Sequence, residues 1–382
     1  MISNKFYEQK AGIQSLSHGI RFGILCFVTI LTGCGWDSCH YSHSAAETTE
    51  CYKKDADGGN SFAQNALGNQ YYMGIGTLQN FSKAVEYFRK SAEQGEKAAQ
   101  HSLANAYANG DGLKKNMQQA IFWYQKAAEQ GYAASQVNLG IIYLNGVGVR
   151  KDFAEAIRLF QLAASQYDEE AVDNQDNIDA SPYLKSAQIE LSKELAAKGD
   201  AHEQYALAER YLNADGVSED ETKAVQLLKQ AALNGHLEAQ RRLGNAYSLG
   251  VGGVTQNIKK AEQWWLKSAK GGSITAQLLL AEKYSEGESL TKNIAKSVYW
   301  YQQAAAQGNN DAQAKLASSY AIGSGVKKDL TLAYAWSNLA ATNGNPKIVE
   351  ERDNYAIQLT SEEKLVSQRI SAEWISGRIL AR

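Results

Sequence analysis

Apolar positions recur along this chain in a fixed order. Leu67, Leu103, Leu139, Leu207, Leu243, Leu280 and Leu316 are each followed four places on by a tyrosine: Tyr71, Tyr107, Tyr143, Tyr211, Tyr247, Tyr284 and Tyr320. Spacing of i and i+4 sets both on one helical face, which predicts a core stripe on a first helix, helix A. Between them lies a small residue (Gly68, Ala104, Gly140, Ala208, Gly244, Ala281 or Ala317) that lets a neighbouring helix come close. Three places before each leucine stands a glutamine, Gln64 in the first unit and Gln313 in the last, predicted to bond a neighbouring backbone. Helix A closes on Gly74, Gly110, Gly146, Gly250, Gly287 or Gly323, with Ala214 as the exception.

A second helix, helix B, begins at Asn80, Asn116, Asp152, Asp220, Asn257, Asn293 or Asp329, all favoured N-caps. Asp152 and Glu155 have capping-box spacing. Inside helix B a small residue such as Ala84 or Ala120 precedes a bulky one by three places, predicting a knob beside a groove at Tyr87, Trp123, Leu159, Leu227, Trp264, Trp300 and Trp336. Two helices in about 36 residues form a unit that must stack on copies of itself, an all-α solenoid. Three units span 60–167 and four span 200–344. Residues 168–199 read as a degenerate repeat: an acidic loop (Asp168, Glu169, Glu170, Asp173, Asp176, Asp179), then a helix-B-like stretch from Tyr183 to Lys198. This segment is a candidate hinge between two sub-arrays. The acidic cluster lacks EF-hand spacing, which favours a solvated loop over a calcium site. In 345–382 Pro346 breaks the pattern, and helices over 347–358 and 361–378, the second capped by Thr360 or Ser361, supply a terminal cap.

Residues 1–33 read as a signal peptide, with Lys5, Lys10 and Arg21 ahead of the apolar run Phe22 to Leu31. Leu31-Thr32-Gly33-Cys34 resembles a bacterial lipobox, which implies lipidation of Cys34. Ordinary cleavage and an uncleaved anchor are the competing readings. Residues 34–59 are polar and read as a lipidated tether to the folded body. Cys39 and Cys51 are the remaining cysteines after Cys26 and Cys34, an even pair available for one disulfide in an oxidising compartment. With His40 and His43 they also match metal-ligand types, but in a tether this is the weaker reading.

Composition narrows the function. The chain is 44% hydrophobic with two prolines and a net charge of −2, which suits a helical protein and leaves no basic footprint for nucleic acid. The glycine turns are followed by no Walker Lys-Ser/Thr, and the sequence has no HExxH, GxSxG, SxxK or GxGxxG in the required context. No catalytic residue, metal or cofactor is assigned.

The pattern Ala-x-x-x-Leu-Gly-x-x-Tyr-x-x-Gly-x-Gly, then Asp/Asn-x-x-x-Ala-x-x-Trp-Tyr-x-x-Ala-Ala-x-x-Gly, resembles the Sel-one-like repeats, relatives of the tetratricopeptide repeats. Ser135, Glu203 and Ala214 are single departures from it. The resemblance implies a right-handed superhelical solenoid of paired antiparallel helices that assembles or holds other proteins. Cysteine-rich relatives are linked with β-lactam handling through a disulfide inside each repeat; no repeat here has a cysteine, so that role does not carry over. A partner protein would meet a concave face where helix A varies: Asn65, Asn69, His101, Asn105 and Asn138, then Glu209, Arg210, Arg241, Arg242, Asn245, Glu282, Lys283 and Lys315. Merely solvated positions would look the same. The first half of this face is amide-rich and the second half charged. The expectation is a membrane-anchored periplasmic scaffold, with Gly35 after Cys34 pointing to the outer membrane. The alternative is an immunity protein that caps a toxic effector such as a phospholipase. A cell-wall or β-lactam-related hydrolase is the least favoured reading.

Overall fold

The computed structural model describes residues 44–167 and 178–375, and every regular element among them is helical. Helix α1 (Ala45–Asp57) comes first. Then follow A/B pairs α2 (Ser61–Met73) and α3 (Phe81–Glu93), α4 (Lys97–Asn109) and α5 (Met117–Glu129), α6 (Ala133–Asn145) and α7 (Phe153–Ala164). Helix α8 (Ser181–Ala197) leads into α9 (Ala201–Leu212) and α10 (Glu221–Leu233), α11 (Leu237–Leu249) and α12 (Ile258–Lys270), α13 (Ile274–Glu286) and α14 (Ile294–Ala306), α15 (Asn310–Ile322) and α16 (Leu330–Ala340). Helices α17 (Pro346–Ile357) and α18 (Ser361–Ile375) close the array. From α1 to α16 each helix packs on its neighbours in the chain, which is the topology of a solenoid, and α17 and α18 both pack on α16.

The repeated columns explain this geometry. All the column leucines are buried, from Leu67 to Leu316. The predicted helix-B caps all accept a backbone N–H from the third helical residue, as Asn80 does from Lys83 at 3.0 Å. Each cap's own N–H returns to the carbonyl of the column tyrosine, for example Asn257 to Tyr247 at 2.7 Å, and so fixes the turn between the pair. The column glutamines do what their spacing predicts. Gln136 Nε2 donates to the Ala128 carbonyl of the preceding helix B at 3.2 Å, and its Oε1 accepts from Gln166, just past the end of its own helix B, at 2.8 Å. One buried amide therefore ties three successive helices together.

Four expectations need correction. The second half of the expected tether is α1: Ser44 and Glu47 form a capping box, and Tyr52 and Ala56 are buried against Ala63 and Leu67. Gln64 Nε2 donates to the Ala56 carbonyl at 3.1 Å, so α1 serves the first repeat as a preceding helix B. Second, the tyrosine column is only half-buried except at Tyr284, with Lys83, Lys223, Lys260 and Lys296 over the rings of Tyr71, Tyr211, Tyr247 and Tyr284. Third, the deepest knob of helix B is mostly one place later than predicted, at Phe88, Tyr124, Phe160, Leu228 and Trp265, although the predicted Leu159 is buried beside Phe160 and the predicted Trp300 is buried more deeply than Tyr301. Where this knob is Phe88, Phe160 or Trp265, the small column holds Gly68, Gly140 or Gly244, and a Cβ there would overlap the ring. Fourth, Glu155 does not complete a capping box on Asp152, because Arg158 holds its carboxylate at 2.6 and 2.8 Å.

Among the described residues of 168–199 there is one helix, α8, packed between α7 and α9, with Tyr183 stacked on Phe160 at 5.6 Å and Gln204 donating to the Ala196 carbonyl. A packed joint thus connects the two sub-arrays. The acidic residues Asp168, Glu169, Glu170, Asp173 and Asp176 lie outside the described residues. At the other end Pro346 opens α17 at its first turn instead of only breaking the pattern, and Thr360 makes a capping box with Glu363 on α18. Ser367 and Ser371 of α18 donate to the Thr331 and Ala335 carbonyls, and Trp374 meets Trp336 edge-on, which covers α16 as a cap should.

Candidate protein-binding face

Successive A helices meet directly through side chains. Successive B helices α5 and α7 are instead parted by an open groove lined by Gln125, Glu129, Glu155, Arg158 and Leu162. The A helices are therefore linked to one another by side chains along the array.

Two columns build the A-helix face, one residue two places after the leucine and one residue just before the next leucine. Asn105 Oδ1 accepts from the Tyr124 hydroxyl at 2.5 Å and from Asn138 Nδ2 of the next A helix at 3.4 Å. The same columns carry Glu209 and Arg242, bonded between α9 and α11 at 2.9 Å. Asn245 repeats the first half of the arrangement, taking the Trp265 indole N–H at 3.0 Å. Glu282 and Lys315 occupy these columns in α13 and α15, are complementary in sign, form no ion pair with each other, and are exposed. They are the open rung of the ladder.

A third column, just after the glutamine, pairs with the residue that caps the following A helix. His101 lies 5.1 Å from the Tyr132 ring, and its Nδ1 is 2.8 Å from the Ser135 hydroxyl. Burial pushes the His101 imidazole down to about 4, so it is neutral at physiological pH. In α9 the types are exchanged: Tyr205 stacks on His236 at 4.4 Å, and His202 meets His236 edge-on at 4.9 Å. Burial first, then His202, holds the His236 imidazole below its ordinary value, with Glu238 opposing.

The other expected face residues are placed as follows. Asn65 is 8% exposed with Oδ1 unpaired, so it belongs to the interior and not to an open surface. Asn69 is half-buried on the same helix. Arg241 is held by both oxygens of Glu238, Lys283 by Glu286 at 3.2 Å, and Arg210 turns to Asp215 at the loop end at 3.0 Å. The charged half is therefore largely paired within itself. Inside the Glu209–Arg242 pair, Glu209 Oε1 and Arg242 Nε are buried and lack a hydrogen-bond partner. Tyr205, His236, Glu238 and Tyr124 belong to the face and were not among the residues expected from sequence. For Tyr205 and His236 the signal was a spacing of 31 residues that links one column to another in the next unit; Tyr124 meets Asn105 19 residues away in its own unit, and Glu238 meets Arg241 on its own helix. Cys34 and Cys39 lie outside the described residues; Cys51 is disulfide-bonded to a partner also outside them. Among the described residues no three His, Cys, Asp or Glu side chains gather as a metal site.

The model of the Sel1 repeat matches residues 61–96, 97–132, 133–168, 204–236, 237–273, 274–309 and 310–345. The chain belongs to the Sel1 repeat family. Sel1 repeats are protein–protein interaction modules, and the ladder of A-helix side chains is the part of this Sel1 protein that varies between otherwise equivalent units. No curated protein matches the chain. Among solved structures it is similar to c5321, a protective antigen of uropathogenic Escherichia coli with an SLR fold, at 26% identity over 87% of this chain and 80% of that one, TM-score 0.35. A Sel1 repeat protein from Oxalobacter formigenes is 26% identical over 82% of each chain, TM-score 0.38. The immunity protein Pa5087 from Pseudomonas aeruginosa is 18% identical over 73% of this chain and 80% of that one, TM-score 0.25.

Proposed function

We propose that this Sel1 protein is a lipid-anchored scaffold of the bacterial cell envelope, facing the periplasm from the outer membrane and holding a partner protein on its A-helix face. The open rung at Glu282 and Lys315 carries the reading. These columns are satisfied internally at Asn105–Asn138 and Glu209–Arg242 but present two unneutralised charges of opposite sign here. A partner bearing an acid and a base at matching separation replaces the missing pair. The lipobox at Cys34 supports the anchor, and the disulfide at Cys51 supports an oxidising compartment.

The test is co-purification of the mature chain from its own envelope, comparing Glu282→Lys/Lys315→Glu with Lys229→Glu on the exposed side of α10. The expected result is a partner retained by wild type and by Lys229→Glu and lost from the double variant. Equal retention by all three overturns the face assignment. A single enzyme that is silenced on binding makes the chain an immunity protein and not a scaffold.

A further inference from the structure

The loop joining α2 to α3 differs from its counterparts in a way that the fold does not need. In later units the place three residues past the closing glycine is apolar and turned inward, as at Leu113, Val149, Leu290 and Val326. The next place is polar: Lys114, Arg150, Thr291 and Lys327. In the first unit the order is inverted, with Thr77 half-buried and Leu78 89% exposed. Ile75 stands where the second unit has Asp111 and is 50% exposed; Met73, 61% exposed, lies in a column that is also exposed and apolar at Leu249 and Ile322, so this loop's own departures are Ile75 and Leu78. Phe81, the first residue of α3, extends the patch.

The position of this loop says what covers it. Thr49 of α1 reaches the Ile75 carbonyl at 3.5 Å, and Gly76 presses so closely on the Ala45 carbonyl that a Cβ would overlap it. The apolar loop therefore sits beside the point where the chain enters the array. Cys34 is ten residues before Ser44, a reach of at most about 35 Å. We propose that Met73, Ile75, Leu78 and Phe81 form a membrane-contact element that beds in the headgroup–acyl boundary of the bilayer holding the anchor. This rests on the anchor reading of Cys34. One attachment point leaves the solenoid free to tilt. A second, apolar contact a short distance away fixes the array's axis relative to the membrane and presents the A-helix face in one orientation. Interfacial burial of a few large apolar side chains is weak alone and effective beside a lipid chain, as two-signal anchoring requires.

The variant Ile75→Asp/Leu78→Lys installs the residue types of the second unit, which the same turn already accommodates. Two measurements on vesicles of phosphatidylethanolamine and phosphatidylglycerol read the loop. In the first, the mature chain carrying Cys34→Ser, and so unable to be lipidated, is floated with vesicles. Weak partition is expected, lowered roughly tenfold by the loop variant. In the second, amide exchange of the lipidated chain is expected to slow about tenfold at residues 73–81 on vesicles relative to detergent, with residues 109–117 as the internal reference. The loop variant should abolish that protection. Unchanged partition together with unprotected loop amides overturns the proposal. So does a micromolar dimer that the loop variant breaks without altering partition. The anchor is judged separately: lipidated chain floats whether or not the loop is altered, and wild-type chain that never acquires lipid defeats the anchor reading while the Cys34→Ser flotation still reads the loop.

Discussion

At Ala214 the position that closes helix A carries a side chain, yet its φ is 53°, the left-handed region that glycine occupies in the equivalent turns. The rest of the unit, with Asp220 returning its N–H to the Tyr211 carbonyl at 3.1 Å, imposes that conformation against the residue's preference. Ala214→Gly is therefore expected to stabilise the protein by about 1 kcal/mol, the strain relieved exceeding the added unfolded-state entropy. A rise in the urea midpoint at unchanged slope reads this; a fall would show that Ala214 is unstrained. His101 carries a second residue-scale prediction. Its neutral ring is favoured in the fold, and the unfolded chain takes up a proton at about 6.5. The folded pKa is the lower one, so the stability from this site is present above pH 6.5 and lost as pH falls toward about 4. His101→Gln, which keeps a polar atom for Ser135 but does not titrate, should remove that component of acid sensitivity in denaturation curves taken between those pH values.

Between helices the buried glutamines decide how firmly neighbours are joined. Gln136 uses both ends of its amide, whereas Gln240 Oε1 is buried without a partner, because its helix B ends on Gly271 and offers no amide side chain. Gln136→Ala removes two side-chain hydrogen bonds at once, to the Ala128 carbonyl and from Gln166, a loss of about 1–3 kcal/mol, and should cost more than Gln240→Ala, which removes one. Equal urea midpoints for the two variants would contradict this account. These columns were legible in the sequence because helix period and repeat period agree in register, so each column samples one environment. The knob in helix B was misplaced by one residue because aromatic or aliphatic pairs such as Tyr87-Phe88 and Trp264-Trp265 offer two adjacent candidates; only packing against Gly68 or Gly244 chooses the second. Helix α1 was missed although Tyr52, Ala56 and Gly59 stand one repeat length before Phe88, Ala92 and Gly95. An end helix has one neighbour to bury against, so its apolar positions are few and its outer face is Thr, Glu and Lys, the composition of a tether. The face was legible as variable positions but not as pairs, since the bond from Glu209 to Arg242 joins columns in different units.

Stability in the whole molecule is spread along one axis. Ala104, Tyr124, Leu139 and Leu159 belong to one core cluster and Ala261, Leu280, Trp300 and Leu316 to another, with the α8 joint and the fourth repeat between them. In such an array each unit is held by its own contacts and those of its nearest neighbours, so damage at one place propagates weakly. Leu139 is 3% exposed, and truncating it to alanine should cost about 2–5 kcal/mol. The distribution of that loss is the sharper test. Native-state hydrogen exchange of Leu139→Ala should quicken in α4 to α7, where the cavity lies, and remain as in wild type across α13 to α16. If the far helices exchange faster by the same factor, the array unfolds as one unit and the α8 joint transmits the full cost. If only the near helices respond, the two sub-arrays are energetically separate, and a partner on the proposed rung at Glu282 and Lys315 would stabilise the C-terminal sub-array without tightening the N-terminal one.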